Sequence, residues 1–264
     1  MISLGVIDLM IAAVLVILLA LLTEWMKVRL GSQILIAAIR TAVQLLLIGL
    51  VLKVLFENAG ALWVALLAFF MLSVASYEVM ARQQRRFTGW WGYGVGTLSM
   101  FLSSFVVTLF ALSIILGNDP WYSPQYSIPL LGMLLGNTMN GISLSMDRLT
   151  QTAWEQRRVI EARLMLGHDH KEAIGELRQN AIRSGMIPII NAMATAGVVS
   201  LPGMMTGQIL AGAPPVEAVK YQILIMFLIA AGTGLGTLVA VAIGSRRLFD
   251  ERERLRLDHL QPTR

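Results

Sequence analysis

The sequence predicts an all-α integral membrane protein with seven transmembrane helices. Of its 264 residues, 56% are hydrophobic and only 14% are charged, whereas a soluble domain carries about 25% charged residues. Seven segments are apolar over roughly the 20 residues that a helix needs to cross a hydrocarbon core. Basic residues collect in alternate connecting segments. These three observations predict the fold class and also the orientation of the chain.

The seven predicted spans follow one another closely, except for a longer polar stretch after the fifth. No strand-like alternation of apolar and polar residues competes with them. The first apolar run has no basic residue before it and no small-residue cleavage site after it, so we expect a retained helix. The predicted spans are 3–22, 33–56, 59–79, 91–116, 127–146, 185–212 and 216–244.

The distribution of Lys and Arg predicts the orientation, because these residues concentrate in cytoplasmic loops. Eighteen of the 21 basic residues lie in 27–29, 82–86, 148–183 and 246–264, and the alternate loops FENAG, GNDPWYSPQY and AGAPPVEA contain none. We therefore expect the N-terminus outside and the C-terminus in the cytoplasm. This asymmetry accounts for the net charge of +5, so a nucleic-acid partner is not needed to explain it.

Four glycine pairs at four-residue spacing predict close helix contacts, since small residues let helix backbones approach each other in lipid. The pairs are Gly92/Gly96, Gly132/Gly136, Gly203/Gly207 and Gly232/Gly236.

The longest soluble stretch, 148–184, lies between the fifth and sixth spans of what we interpret as a single transmembrane domain, 1–264. It predicts two short amphipathic helices separated near Gly167, with Ile174, Leu177 and Ala181 on one apolar face. Such a loop either docks a partner or lies on the lipid surface or on its own protein.

Within this loop, the stretch EARLMLG resembles the opening of the EAA loop of ABC-importer permeases. A short helix that ends at a glycine forms a protruding surface that a partner ATPase can bind. Two departures from the motif are Arg163, where a second alanine is usual, and the later proline, which appears only at Pro188. The candidate ATPase-coupling residues are Glu161, Ala162, Leu164, Leu166 and Gly167.

The sixth predicted span contains VSLPGMMTGQILAG, a stretch rich in residues that interrupt helices. Pro202 lacks a backbone donor and disfavours helix at the residue before it. Irregular backbone at membrane depth persists only where it is buried in protein or lines a wet cavity. The stretch is therefore either a gate or a buried proline kink. The candidate pathway residues are Pro202, Gly203, Met204, Met205, Gly207 and Gln208, with Asn191 earlier in the same span.

Polar residues inside the spans mark two further candidates. Arg40 and Gln44 lie one turn apart in the second span, and an arginine there is costly unless it pairs or snorkels. Glu78, near the end of the third span, is the natural partner for a structural or gating pair.

In the fifth span, a stripe of small and polar residues, Gly132, Gly136, Asn140, Ser143 and Asp147, shares one helical face. This stripe either lines a cavity, with Asn140 in the pathway, or forms a tight helix contact.

No strong metal site is evident in the sequence, so the metal ligands are unknown. Iron prefers carboxylate and imidazole ligands, whereas methionine suits softer ions. The run GHDHKE groups His168, Asp169, His170 and Glu172, but so short a run beside a glycine is typical of a polar turn.

Several blocks together closely resemble the FetB family, the permease subunits of iron-export ABC transporters, a family that includes plant permeases linked to aluminium tolerance. The blocks are IPIINAMATAGVVSLPGMMTGQILAG, PPVEAVKYQILIMFLI, RTAVQLLLIGLVLK and PLLGMLLGN. The resemblance covers about 33–244. It implies a permease domain with seven spans in the bacterial inner membrane, metal export driven by a separate ATPase subunit, and a contribution to oxidative-stress resistance.

The chain has no GxxxxGK[ST] phosphate-binding loop, so we expect no enzyme activity and no cofactor of its own, with ATP and Mg bound by the partner ATPase. Because ABC transporters carry two membrane domains and two ATPases, a homodimer of this chain is the simplest assembly. The alternatives are a different cargo, such as another metal or a nucleotide sugar, and an ion-coupled secondary transporter.

Overall fold

The computed structural model describes residues 5–57, 60–117 and 119–262, and the protein is 81% helical. The chain divides into two compact units, Met1–Gly60 and Ala61–Arg264. The predicted start of the first span at Ser3 and both chain termini lie outside the described residues.

The first unit consists of two long helices, α1 (Val6–Trp25) and α2 (Gly31–Glu57), which contact each other. The Glu24 Oε1 atom accepts a hydrogen bond from the Gly31 backbone N–H at 3.0 Å, and this carboxylate therefore caps the positive end of α2. Most of the large apolar side chains on both helices are exposed within the chain. Such a surface is what helices embedded in lipid require.

The second unit contains the remaining elements. They are α3 (Ala61–Ala81), β1 (Arg85–Phe87), α4 (Trp90–Met100), α5 (Val106–Phe110), α6 (Pro124–Glu155), α7 (Arg157–Met165), α8 (His170–Ala173), α9 (Gly175–Thr195), α10 (Gly203–Leu210), α11 (Pro215–Arg247) and β2 (Leu260–Pro262). Helices α4 and α5 belong to one helical run that also includes the π-helical stretches Phe101–Phe105 and Ala111–Leu116.

Helices α6, α9 and α11 form the centre of the second unit. Leu134 and Ile142 of α6 are completely buried. The backbones of α6 and α9 meet at two glycines, because a Cβ atom added to Gly185 would lie 2.5 Å from the Gly141 carbonyl oxygen. This close approach holds together the helices that carry Asn140 and Asn191, two of the candidate pathway residues.

Two of the four predicted glycine contacts are confirmed. The Gly92/Gly96 pair packs against β1 and α3, and the Gly232/Gly236 pair packs against α6. On α6, a Cβ atom added to Gly132 would meet Met71, whereas one added to Gly136 would meet no described residue within 4 Å. On α10, a Cβ atom added to either glycine of the Gly203/Gly207 pair would have no atom within 4 Å in the described part of the chain.

Five helical runs in the described residues are long and apolar enough to cross a membrane. They are Ile7–Trp25, Gly31–Glu57, Ala61–Ala81, Trp90–Leu116 and Pro215–Arg247. The fifth predicted span lies within α6, whose polar side chains lower its hydropathy, and the sixth is split between α9 and α10. The all-α membrane fold is therefore confirmed, while the count of seven spans and their orientation remain predictions.

A two-stranded antiparallel sheet is the exception to the all-helical expectation. Strands β1 and β2 pair with Phe87 opposite Leu260, and the Thr88 N–H donates to the His259 carbonyl at 2.8 Å. The sheet ties the C-terminal segment to the connection between α3 and α4. The basic segments 82–86 and 246–262 consequently lie on one side of the second unit, as their shared charge predicts.

Candidate functional site

The predicted coupling segment is a compact turn of two short helices, α7 and α8, between the long helices α6 and α9. Its flanking helices extend further into the predicted loop than expected, since α6 continues to Glu155 and α9 begins at Gly175. The second amphipathic helix is therefore not separate. Its apolar face, with Ile174 and Leu177 almost fully buried, anchors the start of α9.

The end of α7 exposes large apolar side chains. Met165 is 83% exposed and Leu166 is 80% exposed, whereas Ile160 on the opposite face of α7 is 1% exposed. Gly167 takes a positive φ of 93°, a conformation that glycine adopts without strain, and it ends the turn. Among the sequence-predicted coupling residues, Glu161, Ala162, Leu166 and Gly167 are exposed, and Leu164 packs against the core.

Arg163 explains one departure from the EAA pattern. Its Nη1 atom donates to the Ala173 carbonyl at 3.3 Å, and its Nη2 atom donates to Glu176 at 3.2 Å. This arginine therefore links α7 to the end of α8 and the start of α9. An alanine at this position could not make these contacts. No local sequence pattern predicts that Arg163 makes them.

A groove lies beside α7, and the segment after α11, residues 252–255, forms its other wall. No pattern in the sequence predicts this role. The groove has a volume of about 750 Å³ and lies between Glu161, Leu164 and Met165 on one side and Arg252 and Leu255 on the other.

Hydrogen bonds fix both walls of this groove. Asp169 begins α8 by accepting a hydrogen bond from the Glu172 N–H at 2.7 Å, and this bond holds the pKa of Asp169 below its usual value. On the opposite wall, two backbone N–H groups and the guanidinium of Arg254 donate to Asp250, which also lowers the pKa of Asp250.

The sixth predicted span is broken, as its proline and glycine content predicts, but the break is wider than expected. Helix α9 ends at Thr195, seven residues before Pro202, and α10 begins only at Gly203. Gly197 has a positive φ of 81°, and its N–H donates to the Ser200 carbonyl at 2.9 Å. Val198 is 88% exposed. The chain thus makes a tight turn before the proline.

The candidate gate residues occupy different environments on α10. Pro202 is the N-cap of this helix, and its carbonyl accepts a hydrogen bond from the Thr206 hydroxyl. Met205 is buried, while its neighbour Met204 is exposed. Gln208 is partly buried, and its Oε1 atom has no hydrogen-bond partner among the described residues.

The polar stripe on α6 is partly open and carries a specific contact. The Arg82 Nη1 atom donates to Asn140 Oδ1 at 2.7 Å, and Arg82 Nε lies 3.6 Å from Glu78 Oε2. Nearer the end of α6, Asp147 accepts a hydrogen bond from the Gln84 N–H at 2.7 Å. The structure therefore joins Glu78 and Asn140, two predicted site residues, through Arg82, which was not among the predicted residues.

The other predicted residues lie on α9 and α2. Asn191 is exposed on α9. Arg40 and Gln44 lie on α2 in the first unit, and Glu78 lies on α3 in the second. The pairing of Arg40 with Glu78 stays a prediction.

The described residues contain no group of three or more His, Asp or Glu side chains arranged to hold a metal ion. In the GHDHKE run, His168 Nδ1 lies 3.1 Å from Glu172, and His170 Nδ1 lies 2.9 Å from Glu253 in the C-terminal segment. These histidines therefore have local structural partners.

Comparison with known proteins identifies the family. Residues 6–249 match the model of the Uncharacterised protein family UPF0014. The chain is 40% identical over 238 residues to the UPF0014 membrane protein slr1647 of Synechocystis, covering 89% of this chain and 90% of the relative.

Two relatives carry names that point to function. The probable iron export permease protein FetB of Escherichia coli is 31% identical over 261 residues, or 96% of each chain. The protein ALUMINUM SENSITIVE 3 of Arabidopsis thaliana is 32% identical over 216 residues, or 81% of this chain and 77% of the relative. No solved structure matches. With several apolar spans and a family match along most of its length, the chain belongs to the UPF0014 family of multi-pass membrane proteins.

Proposed function

We propose that this chain is the permease subunit of an ABC transporter that exports iron from the cytoplasm with a separate ATPase subunit. The observation that carries the proposal is the likeness to FetB, a probable iron export permease, which extends over 96% of both chains. Removal of cytoplasmic iron would contribute to resistance against oxidative stress.

The end of α7 supports the coupling part of this proposal. Two large apolar side chains, Met165 and Leu166, are exposed at the tip of a short helix whose other face is anchored in the core. Exposed apolar patches rimmed by polar residues mark protein interaction sites. The tip is also connected through Arg163 to α9, so a force applied to α7 reaches the helix that ends at the break.

The translocation pathway in this proposal runs along the open face of α6 and the interrupted end of α9. The Asn140 amide offers an oxygen ligand, and in the structure Arg82 donates a hydrogen bond to that oxygen. A guanidinium at this position repels a cation. Arg82 would therefore have to leave Asn140 before a metal ion passes, which makes this contact a candidate for the cytoplasmic gate.

The proposed assembly contains two copies of this chain and two ATPase subunits. ATP and Mg would be bound by the ATPase subunits, and this chain would hold no cofactor of its own. Iron is the cargo rather than a resident ligand.

The coupling part is tested by co-expressing the full chain with the ABC ATPase subunit encoded nearest to its gene. We expect the double variant Met165→Asp/Leu166→Asp to abolish co-purification of the ATPase, because the two carboxylates would have to be desolvated at the contact. The matched control is Val198→Asp/Val199→Asp, which changes two equally exposed valines at the other end of α9.

The control should insert into the membrane and retain the ATPase. Equal retention of the ATPase by both double variants would place its contact away from α7. Loss from both would show that any added acidic pair disrupts the assembly, and it would also count against a specific contact at α7.

A further inference from the structure

A second cleft lies where the fourth span begins and α11 ends, and the proposed transport function does not use it. The fourth span begins at Trp90 and the last span ends at Arg247, so the ends of these two packed helices lie on the same membrane face. The cleft between them has a volume of about 700 Å³. Trp90 is 87% exposed and Trp91 is 50% exposed, and tryptophan is enriched at membrane surfaces.

The cleft is amphipathic along its length. One end is apolar and is lined by Ala242, Ile243 and the Trp91 ring. The other end is lined by Arg246 and Arg247, in the last turn of α11, and by Asp250, Glu251 and Glu253, which follow that turn. An apolar wall that leads to two neighbouring arginines matches the division between an acyl chain and a phosphate headgroup.

The two arginines retain capacity to bind an anion. The Arg247 guanidinium lies over the Trp91 ring, with its Cζ atom 4.5 Å from the ring centroid. The Arg247 Nε atom is buried and has no hydrogen-bond partner among the described residues. No ion pair in the described part of the chain joins Arg246 or Arg247 to a carboxylate.

The acidic groups of the cleft are largely occupied by other partners. Asp250 accepts a hydrogen bond from Arg254 Nε at 2.8 Å, and Glu253 lies 2.9 Å from His170 Nδ1. Glu251 also lines the cleft and is exposed to solvent. The arginines are therefore the groups that remain for a phosphate.

We propose that this cleft binds one phospholipid, with its phosphate on Arg246 and Arg247 and an acyl chain along Ala242, Ile243 and Trp91. Basic pockets between membrane helices are suited to lipid headgroups, and arginine recognises phosphate through paired N–H donors. The bound lipid would connect the start of the fourth span to the end of α11. This site does not depend on the cargo or on an ATPase partner.

The test is native mass spectrometry of the purified, delipidated full chain during titration with phosphatidylglycerol. We expect the variant Arg246→Gln/Arg247→Gln to bind the first lipid about thirtyfold more weakly, given the usual contribution of two basic residues near a membrane surface. Arg246→Lys/Arg247→Lys should stay within a few fold of the unmodified chain, since it keeps both charges.

Two controls separate the lipid site from general effects of charge. Lys27→Gln/Arg29→Gln removes two charges near the end of another span, and it should bind the lipid as the unmodified chain does. Diacylglycerol, which lacks the phosphate, should not bind at the first site. Melting temperatures of all variants should agree within a few degrees, which would show that any loss of lipid binding does not result from unfolding.

Unchanged binding in the Gln/Gln variant would overturn the proposal. Equal losses in the Gln/Gln variant and the Lys27/Arg29 control would likewise overturn it, because binding would then follow total charge. If soluble glycerol phosphate binds as tightly as the lipid, the cleft is a site for a free phosphate and the acyl part of the proposal fails.

Discussion

At the scale of single residues, the contact between Gly141 and Gly185 sets how closely the central helices approach. A Cβ atom at Gly185 would lie 2.5 Å from the Gly141 carbonyl oxygen and 2.9 Å from Thr237. Because one of these atoms belongs to the backbone of α6, no side-chain rotation relieves the overlap. The α6 and α9 helices must move apart to accommodate even one methyl group.

We therefore expect Gly185→Ala to destabilise the second unit by about 1–3 kcal/mol, the usual cost of overpacking a core. The measurement is the melting temperature of the purified chain in detergent. Gly175→Ala is the matched control, because it lies on the same helix and a Cβ there has no atom of the described residues within 4 Å. A Gly185→Ala protein as stable as this control would show that the helices separate at no cost.

Residues that act through long-range contacts are the hardest to predict. Arg82 and Asn140 are 58 positions apart in the chain, and no local pattern connects them. Asn140 is predictable because it recurs with other polar residues along a helical face, a signal within one element. Met165 is absent from the predicted coupling residues because the family motif favours its neighbours, although an apolar side chain in a polar loop is itself a signal.

At the scale of elements, the break between α9 and α10 is predictable, but its position is not. Pro202 marks only the end of the break. Its start depends on Gly197, which adopts a positive φ, and on Ala196, which is extended with a ψ of 130°. A glycine followed by two β-branched residues only weakens the helix locally, so this stretch does not by itself fix where α9 ends.

The short helices between α6 and α9 show why helix boundaries depend on packing. The sequence predicts one helix over the run that begins at His170, yet α8 ends at Ala173 and α9 begins at Gly175. Ile174 lies between them with 1% exposure, and burial of this side chain fixes the bend. The strand pair is not predicted because three-residue strands have too little periodicity to be detected.

The gate hypothesis for α10 predicts a labelling pattern, and the absence of native cysteine makes the pattern easy to measure. We expect Met204→Cys and Gln208→Cys to react with small polar thiol reagents, because the first side chain is exposed and the second is partly exposed. Met205→Cys is the buried control and should react slowly.

The rates for Met204→Cys and Gln208→Cys should change when ATP is supplied to the complex, since a gate differs between states. Rates that are the same with and without ATP would assign α10 a structural role. Rapid labelling of Met205→Cys would show that the face assigned to the core is open.

At the scale of the whole molecule, the membrane class follows from composition alone, and it is the most secure part of the prediction. The apolar spans need no tertiary information, because every helix in lipid must satisfy its own backbone hydrogen bonds. Cargo and direction of transport are different, since no cluster of metal ligands is present in the described residues. Their proposal rests on the likeness to FetB.

The central claim is that this chain moves iron with energy from a separate ATPase, and transport by purified components tests it most directly. Proteoliposomes containing this chain and the ABC ATPase subunit, with the ATPase facing outward, are supplied with radioactive iron. We predict accumulation of iron inside the vesicles that requires ATP and Mg and is lost in the Met165→Asp/Leu166→Asp variant. Iron that enters without ATP under an ion gradient, or ATP hydrolysis with no movement of iron, would contradict the claim.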